Sequence, residues 1–410
     1  MTGTLGASMK MLLQLDVKRF RSLYDITWTP GDINVIIGPN GSGKSNLLKV
    51  FELLAVSARG GLGKYVQREG GMEPLVWDGQ EPQISFQVRT APVGAAMPEL
   101  ESERYRLTYQ LELLRLGLSS AYRIEHELLG NFYRVHTGEK EQPMKFLERT
   151  PRSAVVFDER EKRLDAPEEA VPEEETLLSM ASGPFAANRT ISHFQNELAS
   201  WRVYQDFQVH REAPVRQPTL ARSETSVAPD GANLISVLHT LYTGSRDFKR
   251  DINAAMRVAF GDDFDELIFP PAADQRIQLR VRWKSLRREQ TAADLSDGTL
   301  RFLFLLAVLV NPNPPGLIAI DEPETGLHPS MLPIIAEYAS DAALKSQVIL
   351  TTHSAEFLDA FGDTPPTTTV AQWQEGRTHL RILSDEALDY WLKRYTLGRM
   401  YRSGELEALA

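Results

Sequence analysis

The chain has 410 residues, no cysteine and a formal net charge of -10, with 42% hydrophobic and 24% charged residues. That length suits two or three domain-sized units of ordinary globular composition. The absence of cysteine excludes disulfides, thiol catalysis and a cysteine zinc site and suits a reducing compartment, while the acidic balance excludes a wholly electrostatic nucleic-acid binder.

Met1 to Lys10 is small and polar and does not read as a secretory signal. The longest apolar run, Phe302 to Val310, is less than half of the roughly 20 residues a membrane span needs. The sequence reads as that of a cytoplasmic protein with no membrane partner. "MLLQLDVKRF" and "YDITW" predict two short strands. "INVII", Ile33 to Ile37, predicts a strand buried on both faces that stops at Gly38. A helix is expected within "GKSNLLKVFELLAVSA", with Leu47, Leu48, Phe51, Leu54 and Ala55 on one face.

The middle of the chain reads as an antiparallel meander: "ISFQVR", "RYRLTYQLELL", "AYRIEHELL", "NFYRVH" and "AVVFD". Tyr105, Leu107, Tyr109, Leu111 and Leu113 would line one face of a strand. "DAPEEAVPEEE" reads as a solvated acidic loop. Helical patterns follow in "HFQNELASWRVY", "NLISVLHTLY" and "RDINAAMRVAF", then one alternating strand, "RIQLRVRW". A polar turn, "LSDG", runs into the apolar "FLFLLAVLV". "GLIAI" and "QVILTT" read as buried strands, and "TTVAQW" and "THLRIL" as a closing pair. The expected units are residues 9–90, an inserted region 91–229 that is β-rich and then helical, 230–383, and a helical tail 384–410.

"GPNGSGKS", Gly38 to Ser45, fits G-x-x-x-x-G-K-[ST] between a buried strand and a helix. Gly38, Gly41 and Gly43 let the backbone curl so that its N–H groups, at a helix N-terminus, face phosphate oxygens. The expected nucleotide cradle is Gly38, Pro39, Asn40, Gly41, Ser42, Gly43, Lys44, Ser45 and Asn46, with Lys44 on the β- and γ-phosphates and the Ser45 hydroxyl on Mg²⁺. A second strand ends in Asp321-Glu322, where the Asp suits a Mg²⁺ site and the adjacent Glu can polarise an attacking water. His353 follows a neighbouring strand and would face the γ-phosphate. Ser296 and Gly298 stand at another helix start, a second anion site. Such a site makes sense if it closes over a nucleotide held by another subunit.

"GPNGSGKS", "LSDGTLRF", "IDEPETGLHP" and "TTHS", in this order, resemble ABC-type ATPases of the RecF/SMC/OLD group, most of all the short bacterial ATPases with an AAA_21-type domain. The resemblance implies an α/β P-loop NTPase of ABC-ATPase head type. It would have a central mostly parallel sheet, an antiparallel β subdomain and a helical subdomain carrying the signature motif. It further implies an ATPase with ATP and Mg²⁺, in which Lys44 and Ser45 bind phosphate and Mg²⁺, Asp321 is the Walker B aspartate, Glu322 the catalytic base and His353 the switch histidine. Ser296 and Gly298 would reach across an ATP-closed homodimer, whose seam Gly326 to Pro329 would line.

Asp297 departs from the family's second signature glycine, and Gln80, Gln83 and Gln87 are candidates for the Q-loop glutamine. Residues from roughly Gly60 to Pro229 carry no motif. Coiled-coil arms do not fit, and the carboxylate pattern of an OLD-type nuclease is missing after His353. The reading favoured is a dimerising switch in DNA repair or genome maintenance. The alternative is the ATPase subunit of a phage-defence module with a separate effector nuclease, and a transporter's nucleotide-binding subunit is the weakest. DNA contact would fall to Arg280, Arg282, Lys284, Arg287 and Arg288, or to a solvated hairpin edge bearing them.

Overall fold

The run Ile33–Ile37 is an inner strand of a six-stranded sheet in a computed structural model that describes residues 11–91, 106–117, 120–132, 144–167, 170–182, 188–362, 365–383 and 395–406. Its one polar member, Asn34, is fully buried and bonds the Gly31 backbone and the Val348 carbonyl.

In chain order the first strands are β1 (Leu12–Phe20), β2 (Leu23–Trp28) and β3 (Ile33–Ile37), followed by helices α1 (Lys44–Ala58) and α2 (Leu62–Arg68). Next come β4 (Gln83–Thr90), β5 (Leu107–Arg115), β6 (Tyr122–Asn131), β7 (Met144–Thr150), β8 (Ser153–Asp158) and β9 (Arg163–Asp165). Helices α3 (Leu177–Met180) and α4 (Arg189–Ser200) lead into β10 (Arg202–Tyr204), and β11 (Thr219–Leu220) precedes α5 (Leu234–Gly244) and α6 (Arg246–Phe260). Short strands β12 (Phe264–Ile268), β13 (Arg276–Ile277), β14 (Arg280–Trp283) and β15 (Gln290–Thr291) lie before α7 (Asp297–Leu309). The chain continues through β16 (Leu317–Asp321), α8 (Leu332–Ala342), β17 (Gln347–Thr351), α9 (Ala355–Asp359), β18 (Thr367–Gln374), β19 (Arg377–Ile382) and α10 (Leu397–Arg402).

The six-stranded sheet has the order β10-β16-β17-β3-β18-β19, parallel throughout except for the last pair. Both faces are covered, which is why its inner strands read as near-continuous apolar runs. Val35, Ile37, Ile318, Ile320, Val348 and Leu350 face one core with α5 to α8. Ile36, Leu317, Ala319 and Ile349 face a second core with α1 and the other large sheet. That sheet is an eight-stranded antiparallel meander, β2-β1-β4-β5-β6-β7-β8-β9. It joins strands from either side of residue 90 into one layer. Leu107, Tyr109, Leu111 and Leu113 do bury one face of β5; Tyr105 lies outside the described residues. Most of "NFYRVH" also lies outside them.

Three local expectations change. "HFQNELASWRVY" is not one helix: α4 stops at Ser200, Trp201 turns to φ -52 and ψ 138, and β10 becomes an edge strand on β16. "RIQLRVRW" is split between two small sheets, β13 pairing β11 and β14 pairing β12 and β15. "MKFLERT", without a clear pattern in sequence, is β7. The acidic loop is largely exposed, but its last residue, Glu175, accepts the N–H groups of Leu62 and Gly63 and so ties the meander to α2.

Candidate functional site

Strands β3, β16 and β17 are parallel neighbours, so the loops after them emerge at one edge of the sheet. Gly38 has φ 146, Gly41 φ 79 and Gly43 φ 97. Two of these glycines are also required by packing. A Cβ on Gly38 would lie 2.1 Å from the Ala371 carbonyl of β18, and one on Gly43 would lie 2.0 Å from Thr378 Oγ1 of β19. Gly43 caps α1 without a side chain, leaving the helix's first N–H groups for a ligand. Lys44 is 5% exposed and its Nζ donates to the carbonyls of Gly38 (2.9 Å) and Pro39 (3.1 Å). Burial lowers its pKa, and Asp321, Glu322 and Glu324 pull it back up. Pro39, Asn40, Gly41 and Ser45 are exposed on the loop, and Ser42 is fully buried. The Asn46 amide donates to Ser22 Oγ (2.7 Å), so that side chain braces the loop.

Ser45 Oγ donates to Asp321 Oδ2 (3.2 Å), and Thr351 Oγ1 donates to the other carboxylate oxygen, fixing Asp321 between β3's loop and β17. A hydroxyl beside one carboxylate fits Mg²⁺, which is usually held by one or two protein oxygens with phosphate and water supplying the rest. Glu322 takes a left-handed backbone with φ 45, unusual for a residue with a side chain. Two bonds hold it there, from Glu322 N to Thr351 O (3.2 Å) and Oγ1 (3.1 Å). The consequence is that Glu322 Oε1 lies 3.4 Å from His353 Nε2. Burial, then Lys44, lowers the His353 pKa, so this contact joins a carboxylate to a neutral imidazole at pH 7.

Residues the motif reading did not assign complete the arrangement. Glu324 Oε1 accepts from Thr352 Oγ1 (2.5 Å) and from His353 N (3.2 Å), tying the turn after β16 to the histidine's loop. Burial raises the Glu324 pKa, and its Oε2 is buried with no hydrogen-bond partner among the described residues. Its signal was present as the third acid of "DEPET". Gln205 follows β10, and the Tyr204–Ile320 register puts it beside Asp321. It lines a small cavity of about 30 Å³ with Asp321, Glu322, Thr325 and Arg301, and its Nε2 is buried without a hydrogen-bond partner among the described residues. The sequence candidates are elsewhere. Gln83 donates to Glu112 and Gln87 to Asp16, both in the antiparallel meander, and Gln80 is exposed after the turn Trp77–Gly79.

Ser296 and Gly298 are not joined to the P-loop by any hydrogen bond among the described residues. Ser296 is exposed and caps α7, accepting from Thr299 N (3.1 Å). A Cβ on Gly298 would lie 2.7 Å from the Gly326 carbonyl, so that glycine is required by contact with the turn after β16. Asp297 pairs with the buried Arg216. Two of the five cations in the basic cluster are ion-paired, Arg280 with Glu289 and Arg282 with Glu266 and Glu289, while Lys284, Arg287 and Arg288 are exposed in the turn.

The profile of AAA_21, "AAA domain, putative AbiEii toxin, Type IV TA system", matches residues 33–359. The chain belongs to the AAA_21 family. A 129-residue segment of this AAA_21 chain is 33% identical to the DNA replication and repair protein RecF of Moorella thermoacetica and covers 31% of each chain. The match therefore spans about a third of that curated relative's length. Among solved structures the chain is similar to an Smc head bound to the C-terminal winged-helix domain of ScpA. The TM-score is 0.55 at 13% identity, covering 92% of this chain and 99% of the other. It is similar too to an Smc head with an extended coiled coil bound to the C-terminal domain of ScpA, from Pyrococcus furiosus, with TM-score 0.55, 12% identity and coverage of 94% and 99%. The fold is that of a P-loop ABC-ATPase head, with the parallel sheet, antiparallel lobe and helical lobe expected of it. Among the described residues no helix is long and apolar enough to cross a membrane.

Proposed function

We propose that this AAA_21 protein is an ATP-hydrolysing switch in which two copies close around two ATP·Mg²⁺, each held by the P-loop of one copy and the LSDGT turn of the other. The observation that carries the reading is the asymmetry just described. Lys44, Ser45, Asp321, Glu322, His353 and Gln205 gather at one edge of the parallel sheet, while Ser296 faces solvent. Lys44 and the α1 N-terminus bind the phosphates. Mg²⁺, held by Ser45 and Asp321, would neutralise charge developing between the β- and γ-phosphates. Glu322 accepts the proton of the attacking water, and neutral His353 holds the γ-phosphate and the Glu322 carboxylate in line. Gln205 takes the Q-loop role, since it follows the strand paired with β16 and lines the cavity that Asp321 and Glu322 also line.

Two cellular settings fit, as proposals. The RecF relative is the basis for a setting in DNA repair or maintenance, and the family's description as a putative toxin of a type IV toxin–antitoxin system is the basis for a toxin or defence setting. Ion pairing of Arg280 and Arg282 leaves Lys284, Arg287 and Arg288 as the exposed cations of that cluster.

Mixing subunits tests the composite site. Ser296→Arg and Lys44→Ala are each expected to be inactive alone. Together they form a heterodimer in which one site carries both lesions and the other none, so ATPase activity partly returns. No recovery from two folded variants that do associate would contradict the reading.

A further inference from the structure

The LSDGT turn is anchored from beneath by one side chain. Arg216 ends the 3-10 turn Pro214–Arg216 and is 8% exposed. Its Nε donates to Val209 O (2.8 Å), and its Nη1 donates to the carbonyls of Ala292 (3.1 Å), Ala293 (3.3 Å) and Leu295 (2.7 Å). Its Nη2 donates to the Asp297 carboxylate, whose side chain remains 65% exposed. A single planar donor fork thus holds the backbone from Ala292 to Leu295 and the first residue of α7. Lysine, a point charge with three donors, could not span these acceptors.

The arrangement carries an electrostatic cost that explains the unusual acid. A buried guanidinium needs acceptors and a counter-charge. At a helix N-terminus it also faces the positive end of the dipole. Asp297 answers both, since a carboxylate in the first turn favours the dipole and neutralises the guanidinium. The pair is near neutral, so a phosphate approaching Ser296 does not meet a bare carboxylate. Where the family pattern has a glycine, this chain has half of an ion pair.

We propose that Arg216 is the positioning residue of the LSDGT anion site, with Asp297 as its built-in counter-ion. Arg216 fixes the turn so that exposed Ser296, whose Oγ caps α7 through Thr299, and the α7 N-terminus are presented to the nucleotide of a second copy. The inference rests on the composite-site reading above.

Arg216→Gln is expected to lower turnover on the order of 100-fold, the scale of a small misplacement of a site group, because the turn loses its fork. ATP affinity of the separate subunit should not change, because the P-loop is untouched. Mixed with Lys44→Ala, Arg216→Gln should regain activity; mixed with Ser296→Arg it should not, because both composite sites then carry a damaged LSDGT half. A merely structural lesion would not sort in this way. Wild-type turnover by Arg216→Gln overturns the inference. So does recovery with Ser296→Arg, or failure to recover with Lys44→Ala while Ser296→Arg does recover with it. If the Ser296→Arg and Lys44→Ala pair itself fails, the composite-site reading falls and the inference with it. Should Arg216→Gln not fold, Arg216→Lys enters the same mixtures, and wild-type turnover by that variant overturns the inference equally.

Discussion

The P-loop edge of the sheet and the LSDGT turn are both helix starts with a glycine near the N-terminus, but they are wired differently. At the first, side chains at and just beyond the ends of three strands meet: Ser45 and Thr351 bond Asp321, Glu324 bonds Thr352, and Glu322 contacts His353. At the second, contacts run back into the helical lobe through Arg216, and the polar face is open. On the proposed reading, binding and positioning of the phosphates are built into one copy, whereas the LSDGT turn, beyond its own Ser296–Thr299 cap, is left for a second copy. Hydrolysis on this account waits for the two to meet.

The largest effect expected from breaking the first half is that of Lys44→Ala. Removing the buried ammonium should abolish measurable ATP binding and reduce ATPase activity to background, checked by nucleotide titration and phosphate release. Retained turnover would show the P-loop to be idle. Glu324→Ala should do less. It frees Thr352 and the His353 backbone, two hydrogen bonds, at an expected loss of about 10-fold or somewhat more in kcat. Glu324→Gln keeps an acceptor oxygen and should recover most of that rate. If Ala and Gln behave alike, Glu324 does not position the histidine loop. The smallest effect is in pH dependence. Burial and Lys44 hold the His353 pKa below its ordinary value of 6.5, so the neutral form persists to lower pH than in a free histidine. The acid limb of kcat/KM, which reports the free enzyme, should therefore lie below 6.5, and His353→Gln should lose it. A limb above that value would assign the titration to another group.

Much of the first half could be read from the sequence because each part is local. A β-branched strand, a glycine-rich turn and a helix start are contiguous from Ile33 to Ala58, and Asp321-Glu322 close a short apolar strand. What stayed hidden depends on partners far away in the chain. Val203 and Tyr204 continue a helical spacing from α4, and only pairing with Ala319 and Ile320 makes them a strand. Gln205 gains its place beside Asp321 from that same pairing, whereas Gln83 and Gln87 are drawn to Glu112 and Asp16. Arg216 sits 81 residues from the carboxylate it neutralises, so nothing near it in sequence signals its role. Arg280 and Arg282 looked like a basic patch because Glu266 and Glu289 belong to neighbouring strands or turns.

The central claim is that ATP closes two copies on one another. Glu322→Gln removes the proton acceptor while leaving Lys44, Ser45 and Asp321 in place, so nucleotide should bind and remain unhydrolysed. Light scattering of this variant at micromolar concentration, with and without ATP·Mg²⁺, is the most direct measurement. The account predicts a dimer that accumulates with ATP and disperses when nucleotide is removed. A variant shown to be saturated with ATP, yet monomeric throughout, would contradict it.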